Sequence, residues 1–521
     1  MKNLFGVGLV LTTIFLGGCN DSSDSNSNEN TSSSSSAKNL TIQTYTPGSE
    51  GIFAVASTVI SGEKDAILVD AQFQKKYAKE VVDLIKKSGK NLKYIYISHS
   101  DPDYYFGTDE ILKAFPNAKV VSTAQTAYLI TASKDDKLAV WKDQLAADAP
   151  EKIIIPEALN EGYLELDGKR VEVQLDPEDT AHSFLWIPSL KTALGGISVS
   201  YDSHLWMADT DGAEGIDKWV KQIEKIKSLN PEKVIPGHYV KSDFSPKPLD
   251  WIKDYLVNFK TAITQYKTSA DIISFMDKAY PNLDDKPTLE MSAQVFSKEL
   301  DWKVASPYPV IGQKITVDFD AMKFNLDFTD NKNMSFAGAG GAAGPEINDK
   351  VTYTPIEIAK NVFMVYWHED KSGDNVVHIQ DYNRDVVYTN IASSDSSFTH
   401  LQGKITGVKG VIKDANLQGP LDAAFFAQGQ TLNADFGDTK YTLQFKDDKN
   451  LVVTSTTPTQ TANVEYVAKQ VAANVFMVYW TDPATKRNVV QILDNANKII
   501  YQNIAQADGT FTHLKGEFSV N

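Results

Sequence analysis

The sequence predicts an α/β domain of two sheets flanked by helices, followed by two all-β barrels in tandem. Three observations carry this reading. Short β-rich runs alternate with helical ones over residues 39–245, an internal repeat fills the chain after residue 306, and apolar and polar residues alternate with period two inside that repeat. The chain has 521 residues, 42% hydrophobic and 23% charged. At about 150 residues per domain this leaves room for roughly three, and the apolar content excludes a disordered chain. Fifty-one Lys+Arg stand against 67 Asp+Glu, a net charge of −16, which speaks against nucleic acid as a partner because phosphates need clustered base. Arginine occurs only as Arg170, Arg384 and Arg487, too sparse for a bidentate phosphate clamp. The single cysteine excludes an intramolecular disulfide framework and a cysteine-rich metal site.

That cysteine closes the first segment, residues 1–19. Lys2, an apolar stretch from Leu4 to Phe15 and then Leu16-Gly17-Gly18-Cys19 describe a secretory signal, too short to span a membrane comfortably. Its last four residues resemble the bacterial lipobox. The resemblance implies that Cys19 is lipidated and becomes the first residue of a protein held to a lipid bilayer, at the periplasmic face or the cell surface; an ordinary signal peptide with an incidental cysteine is the other reading. Residues 20–38 are almost all Ser, Asn, Asp and Glu, and such a segment buries too little to offset its ordering entropy. As a flexible tether it would reach roughly 20–25 Å.

Residues 39–245 form the first folded region. Ile52–Ile60 and Ala66–Asp70 read as strands, and Lys75–Lys87 carries a helical stripe of Tyr77, Val81, Val82, Leu84 and Ile85. Tyr94–Ser98 and Lys119–Ser122 read as buried strands, and Tyr163–Leu166 and Val171–Leu175 flank the turn Asp167-Gly168. Ile216–Ile226 is helical, and Val234-Ile235 leads into Pro236-Gly237-His238. The chemistry begins where Tyr94–Ser98 runs into His99-Ser100-Asp101-Pro102-Asp103-Tyr104, since a strand end is rigid but open to solvent. His99, Asp101 and Asp103 at alternate positions suit a divalent cation; aspartates that cap a helix start account for the same spacing.

Three stretches, Ser57–Ile60 with Ile67–Asp70, Ile97–Tyr104, and Val234–His238, resemble in order the metallo-β-lactamase fold superfamily. The resemblance implies an αββα sandwich with a one- or two-metal hydrolytic site at one sheet edge, marked by His-x-His-x-Asp-His, a downstream His, a bridging Asp and a final His. On that pattern His99, Asp103 and His238 match the first His, the Asp and the last His. Asp101 replaces the second His and Tyr104 the third. Glu178 falls in the place of the downstream His, with His182 four residues later and needing a local shift to substitute. Gly196 stands where the bridging Asp belongs, and His204-Leu205-Trp206 resembles a pocket-lining segment.

Without a bridging carboxylate two nearby cations repel with less compensation. The expectation is therefore one ion, Zn²⁺ or another divalent transition metal, held by some of His99, Asp101, Asp103, His182 and His238; a metal-free site is the alternative. With metal bound, Asp103 would double as general base. Tyr104 would then donate to a developing oxyanion, or serve only as an aromatic wall. Glu178, His204 and Trp206 complete the candidate pocket.

Residues 246–305 read as a helical connector of Trp251–Tyr266, Ser269–Ala279 and Thr288–Lys298; the resemblance implies a segment that covers the site mouth or forms a dimer contact, and a packing spacer between domains is the other reading. Beyond it, Asn361-Val-Phe-Met-Val-Tyr-Trp367 recurs as Asn474-Val-Phe-Met-Val-Tyr-Trp480, and Phe398-Thr-His-Leu401 as Phe511-Thr-His-Leu514, both at an offset of 113. Upstream, Gly312-Gln313 recurs as Gly429-Gln430 at an offset of 117, so the first copy is longer near the Gly/Ala-rich Ala337–Pro345. Two copies, 306–410 and 419–521, are duplicated domains rather than a solenoid. Alternation such as Ile315-x-Val317-x-Phe319 argues for barrels. The Phe-Met-Val-Tyr-Trp run and the following Val386–Ala392 resemble the MoaF-like, lipocalin-type family, which implies small closed barrels able to hold an apolar ligand and brings no catalytic set. His400 and His513, equivalent in the two copies, read as histidines bonded to a neighbouring strand within an aromatic core, or as part of a ligand pocket.

The leading expectation is a metal-dependent hydrolase of small-molecule ester or amide-type bonds in the cell envelope. The other is a non-catalytic, small-molecule-binding envelope lipoprotein with a degenerate metal site.

Overall fold

The computed structural model describes residues 39–521 apart from 303, 304, 412, 414 and 457. The expectations for residues 1–38, lipidation of Cys19 among them, lie outside the described residues.

In the N-terminal domain β1 (Thr41–Tyr45), β2 (Ser57–Ser61), β3 (Asp65–Val69), β4 (Asn91–Tyr96), β5 (Lys119–Ser122) and β6 (Glu157–Ala158) form one sheet in sequence order. It is antiparallel through β3 and parallel beyond. The parallel crossovers are α1 (Lys75–Ser88), the pair α2 (Pro102–Tyr105) and α3 (Thr108–Ala114), and α4 (Ala124–Leu145), as parallel neighbours require. The second sheet runs β12-β10-β9-β8-β7, built from β7 (Tyr163–Leu166), β8 (Lys169–Asp176), β9 (Asp179–Ile187), β10 (Thr192–Leu194) and β12 (Lys233–Ile235). A two-stranded ribbon pairs β11 (Ser200–Tyr201) with β13 (His238–Tyr239), and α5 (Gly212–Ser228) lies between them in sequence.

Three cores hold these layers. Ile60, Ile67, Val69 and Val121 meet Leu166, Val171, Leu185 and Leu194 between the sheets. Val81, Ile85, Ile111 and Ile130 cover the first sheet from outside. Trp186, Trp219 and Ile223 cover the second together with Ile252, Tyr255, Phe259, Met276 and Leu289. These last residues belong to α6 (Pro248–Gln265), α7 (Ser269–Ala279) and α8 (Lys286–Phe296). The helices expected as a connector are thus part of the sandwich's outer layer.

Each repeat is a closed antiparallel barrel of eight strands. The first comprises β14 (Lys314–Asp318), β15 (Met322–Phe328), β16 (Asn333–Gly341), β17 (Asn348–Ala359), β18 (Val362–His368), β19 (Asn375–Asp381), β20 (Val386–Ala392) and β21 (Phe398–Thr406). The second comprises β22 (Thr431–Asp435), β23 (Lys440–Phe445), β24 (Asn450–Thr456), β25 (Thr459–Ala472), β26 (Val475–Thr481), β27 (Asn488–Asp494), β28 (Ile499–Ala505) and β29 (Phe511–Val520). The extra length of the first copy sits in the β16–β17 connection, where the sequence placed it.

Side chains fill the interior of the first barrel. Tyr308, fully buried, enters from the segment before β14, and its hydroxyl donates to Gln380 Oε1 at 2.7 Å. Phe328, Tyr353 and Phe363 pack around it, and Tyr128 of α4 closes the end. In the second barrel Phe425 takes the equivalent place against Phe445 and Phe476. The outer faces of β18–β21 and β26–β29 pack on one another with local twofold symmetry. His400 stacks on Tyr479 at 3.8 Å and His513 on Tyr366 at 3.6 Å, while Asn390 Nδ2 approaches Met477 Sδ and Asn503 Nδ2 approaches Met364 Sδ, each at 3.2 Å. Both histidines do bond a neighbouring strand, Asn390 at 2.8 Å and Asn503 at 2.7 Å; each also meets a phenylalanine of its own barrel edge-on, Phe398 or Phe511, but the tyrosine on which it stacks lies in the other barrel.

Candidate functional site

The site lies at the ends of the central strands, where β4 leads into the turn before α2. Pro102 is the first residue of α2 and fixes its entry. Asp101 occupies the position that caps this helix, yet its side chain makes no capping bond. It points instead to Lys137 of α4, whose Nζ donates to Asp101 Oδ1 and to the Ser100 carbonyl, both at 2.9 Å. His99 Nδ1 accepts the Asp101 backbone N–H at 3.2 Å and lies 3.3 Å from Asp101 Oδ2. His99 Nε2 meets no protein hydrogen-bond partner among the described residues.

Asp103, Tyr104 and His238 form a second linked group. His238 Nε2 and Asp103 Oδ2 are 2.6 Å apart, and the Tyr104 hydroxyl is 3.1 Å from His238 Nδ1. With the proton on Nε2 the order is Tyr104 donating to His238 and His238 donating to Asp103. Tyr104 is fully buried, with the His99 and His238 rings each 5.3 Å from its own. The structure therefore brings His99, Asp101, Asp103, Tyr104 and His238 into one place.

Burial and pairing set the charges here. Burial alone would raise the Asp101 pKa, but Lys137 and His99 hold it well below the usual carboxylate range. Burial would likewise lower that of His238, but the hydrogen bond and charge of Asp103 outweigh it and raise it above the ordinary histidine value. Burial pushes the Tyr104 hydroxyl far up, reinforced by the Asp103 charge, so it stays neutral. Beneath the site Asp70 accepts from the Ser98 N–H at 2.8 Å and from Ser98 Oγ at 2.6 Å. Burial raises its pKa to about 7 against those bonds.

Other candidates lie apart from this group. His182 sits on β9, bonded to Asp179 Oδ1 at 2.7 Å and stacked on Trp219 at 4.3 Å. Glu178 is exposed at the β8–β9 turn, its N–H donating to Asp176. His204 is buried, with Nδ1 2.9 Å from the Tyr255 hydroxyl; burial and then Lys286 lower its pKa. Trp206 packs edge-on against Trp302 at 5.9 Å, and Trp302 Nε1 donates to Asp209 Oδ1 at 2.6 Å. Burial, then the Asp101 charge, raises the pKa of Asp209, which ties this tryptophan wall to the Asp101–Lys137 pair. Lys137, Asp209 and Trp302 were not singled out in the sequence. Lys137 lies 36 residues from Asp101, on a helix whose apolar residues follow no single stripe.

Residues 51–238 match the family model of the metallo-beta-lactamase superfamily, and residues 311–406 and 428–519 match the MoaF-like model. The chain thus carries a metallo-beta-lactamase superfamily domain followed by two MoaF-like domains. Among solved structures it is similar to a metallo-beta-lactamase from Pontibacter korlensis, at 18% identity over 42% of this chain and 93% of that one, with a TM-score of 0.29. It is also similar to a metallo-beta-lactamase family protein from Thermus thermophilus, at 14% identity over 47% and 86%, with a TM-score of 0.35. No curated protein matches the chain.

Superfamily members typically bind divalent metals such as zinc, which need three or more donors converging with free lone pairs. The donors present do not fit that demand. Asp103 and His238 are bonded to each other, and the Lys137 ammonium already compensates Asp101. The bridging position is closed by the backbone: Gly196 has a φ of +75°, donates its N–H to Ser98 Oγ at 2.7 Å, and a Cβ there would lie 2.2 Å from the Ser183 carbonyl oxygen. Among the described residues no group of three or more His, Cys, Asp or Glu side chains is gathered to hold a metal ion.

Proposed function

We propose that this chain is a small-molecule-binding lipoprotein of the bacterial cell envelope whose metallo-β-lactamase-fold domain has exchanged its metal positions for internal pairs. One observation carries this reading: Asp101 is paired with Lys137, and Asp103 with His238 and Tyr104. A general base must aim a free lone pair at the proton it takes; here Asp103 Oδ2 is held by His238 and His238 Nδ1 lies against the Tyr104 hydroxyl, which leaves Asp103 Oδ1 as the oxygen of this group without a bond to either. The ligand's apolar or aromatic body rests against Trp206 and Trp302, and its hydrogen-bonding end meets His99. The resemblance of Leu16-Gly17-Gly18-Cys19 to a lipobox supports the envelope location and the bilayer as partner, and the net charge of −16 speaks against nucleic acid.

The test is elemental analysis and native mass spectrometry of the full chain purified without chelator. The expected result is less than about one-tenth of an equivalent of any transition metal, a co-purifying small organic molecule, and no turnover of ester or lactam substrates. A second reading, hydrolysis of an ester or amide-type bond dependent on one divalent ion, is favoured by His99, Asp103 and His238 sharing one site at their family positions. Stoichiometric metal, with hydrolysis abolished by Asp103→Ala, would establish it and overturn the first.

A further inference from the structure

Between the two barrels, at one end of their shared interface, lies a cleft of about 430 Å³ lined by equivalent residues of both copies. Its floor holds Asn375, the first residue of β19, and Asn488, the first of β27, which occupy the same place in the repeat. Both are at least nine-tenths buried, with 3% and 4% exposure. Each carboxamide oxygen is already fixed, that of Asn375 by His368 Nδ1 at 2.8 Å and that of Asn488 by the Thr481 hydroxyl at 2.6 Å. That orients both NH₂ groups. Among the described residues neither Nδ2 has a protein partner, and neither is sealed from solvent. Two largely buried asparagines, one from each barrel, therefore line the same cleft, each with an NH₂ that no described protein group holds.

Lys486 adds a cation to the lining, and its ammonium has no ion-pair partner among the described residues. The acid of the lining, Asp508, has Oδ1 turned to the Thr510 N–H at 3.0 Å. Amide donors that no protein acceptor holds but that solvent reaches can exchange water for an acceptor on a ligand, and donors beside a cation favour an anionic acceptor over a neutral one. We propose that this cleft is a binding site for a small carboxylate, gripped by the side-chain NH₂ groups of Asn375 and Asn488 with Lys486 at the rim. The site is separate from the metallo-β-lactamase-fold domain, so it stands whatever the fate of the reading given above.

The experiment is calorimetric titration of the full chain with succinate, with glucose as the neutral control. Saturable succinate binding and none of glucose are expected. Asn375→Asp with Asn488→Asp keeps each oxygen as an acceptor for His368 and Thr481 while removing both donors, and should weaken succinate at least about tenfold. Lys486→Gln should weaken it less. Circular dichroism of each variant separates loss of the site from loss of the fold. Where the aspartates unfold the barrels, Asn488→Ser alone serves, with a several-fold loss expected. Unchanged affinity in the folded variants, glucose binding as strong as succinate, or no saturation at millimolar succinate would overturn the proposal.

Discussion

Asp101 shows how one substitution within a motif redirects a site. In the place of the second histidine it brings a negative charge, and Lys137 answers it at 2.9 Å. Both side chains are mostly buried, at 15% and 26% exposure, so removing one partner leaves an uncompensated charge. Lys137→Met should cost about 1–3 kcal/mol in denaturant unfolding, and Lys137→Met with Asp101→Asn should regain most of it. A double variant as unstable as the single one would show that the pair is not coupled. Asp70 gives a pH signature. Its carboxyl titrates near 7 when folded, above the ordinary 3.8, so the folded state holds the proton more tightly. The stability this confers is complete below about pH 3.8 and lost as pH rises through about 7, by about 4 kcal/mol at most. Asp70→Asn should flatten that fall, read from unfolding free energies between pH 4 and 8. The positions of His99, Asp103 and His238 were legible in the sequence because a strand end and two short motifs mark them. The bond between Asp103 and His238 was not, because those residues stand 135 positions apart.

At the scale of elements α4 is the clearest omission. It carries Lys137 into the site and Tyr128 onto the first barrel, yet its length of 22 residues shows no apolar stripe to announce it. Thr123 caps it by accepting the Thr126 N–H at 3.0 Å, a local signal that outlasts the missing periodicity. The segment holding Tyr308 acts as a plug, and the repeat supplies its own control, since Phe425 fills the same place in the second barrel. Tyr308→Phe should therefore cost only about 1 kcal/mol, the hydrogen bond to Gln380. Tyr308→Ala should cost about 3–5 kcal/mol through the cavity it leaves. Equal losses in thermal or chemical unfolding would mean that the hydroxyl, not the ring, holds the plug. The three helices after β13 were legible as helices from their stripes, but their faces pack on α5 and β9 rather than standing between domains.

Over the whole molecule the duplicated barrels behave as a dimer within one chain. Met364 and Met477 sit at equivalent places in the shared apolar face. Met364→Glu with Met477→Glu places two carboxylates there, and burying unpaired charge is costly. The expected outcome is faster protease cleavage in the 407–428 segment and separate unfolding of the barrels; a digestion pattern identical to that of the parent chain would exclude a stabilising role for this interface. The sequence by itself determined the order of domains, the duplication with its longer first copy and the positions of the site motifs, because those rest on local periodicity and recurring words. Only the tertiary structure decided which face of β18 looks inward, since Val362–Trp367 is apolar on both faces and period two cannot tell them apart. It also decided that the motif carboxylates are matched by Lys137 and His238, because a charge is compensated by whatever stands beside it in space and not by its neighbours along the chain.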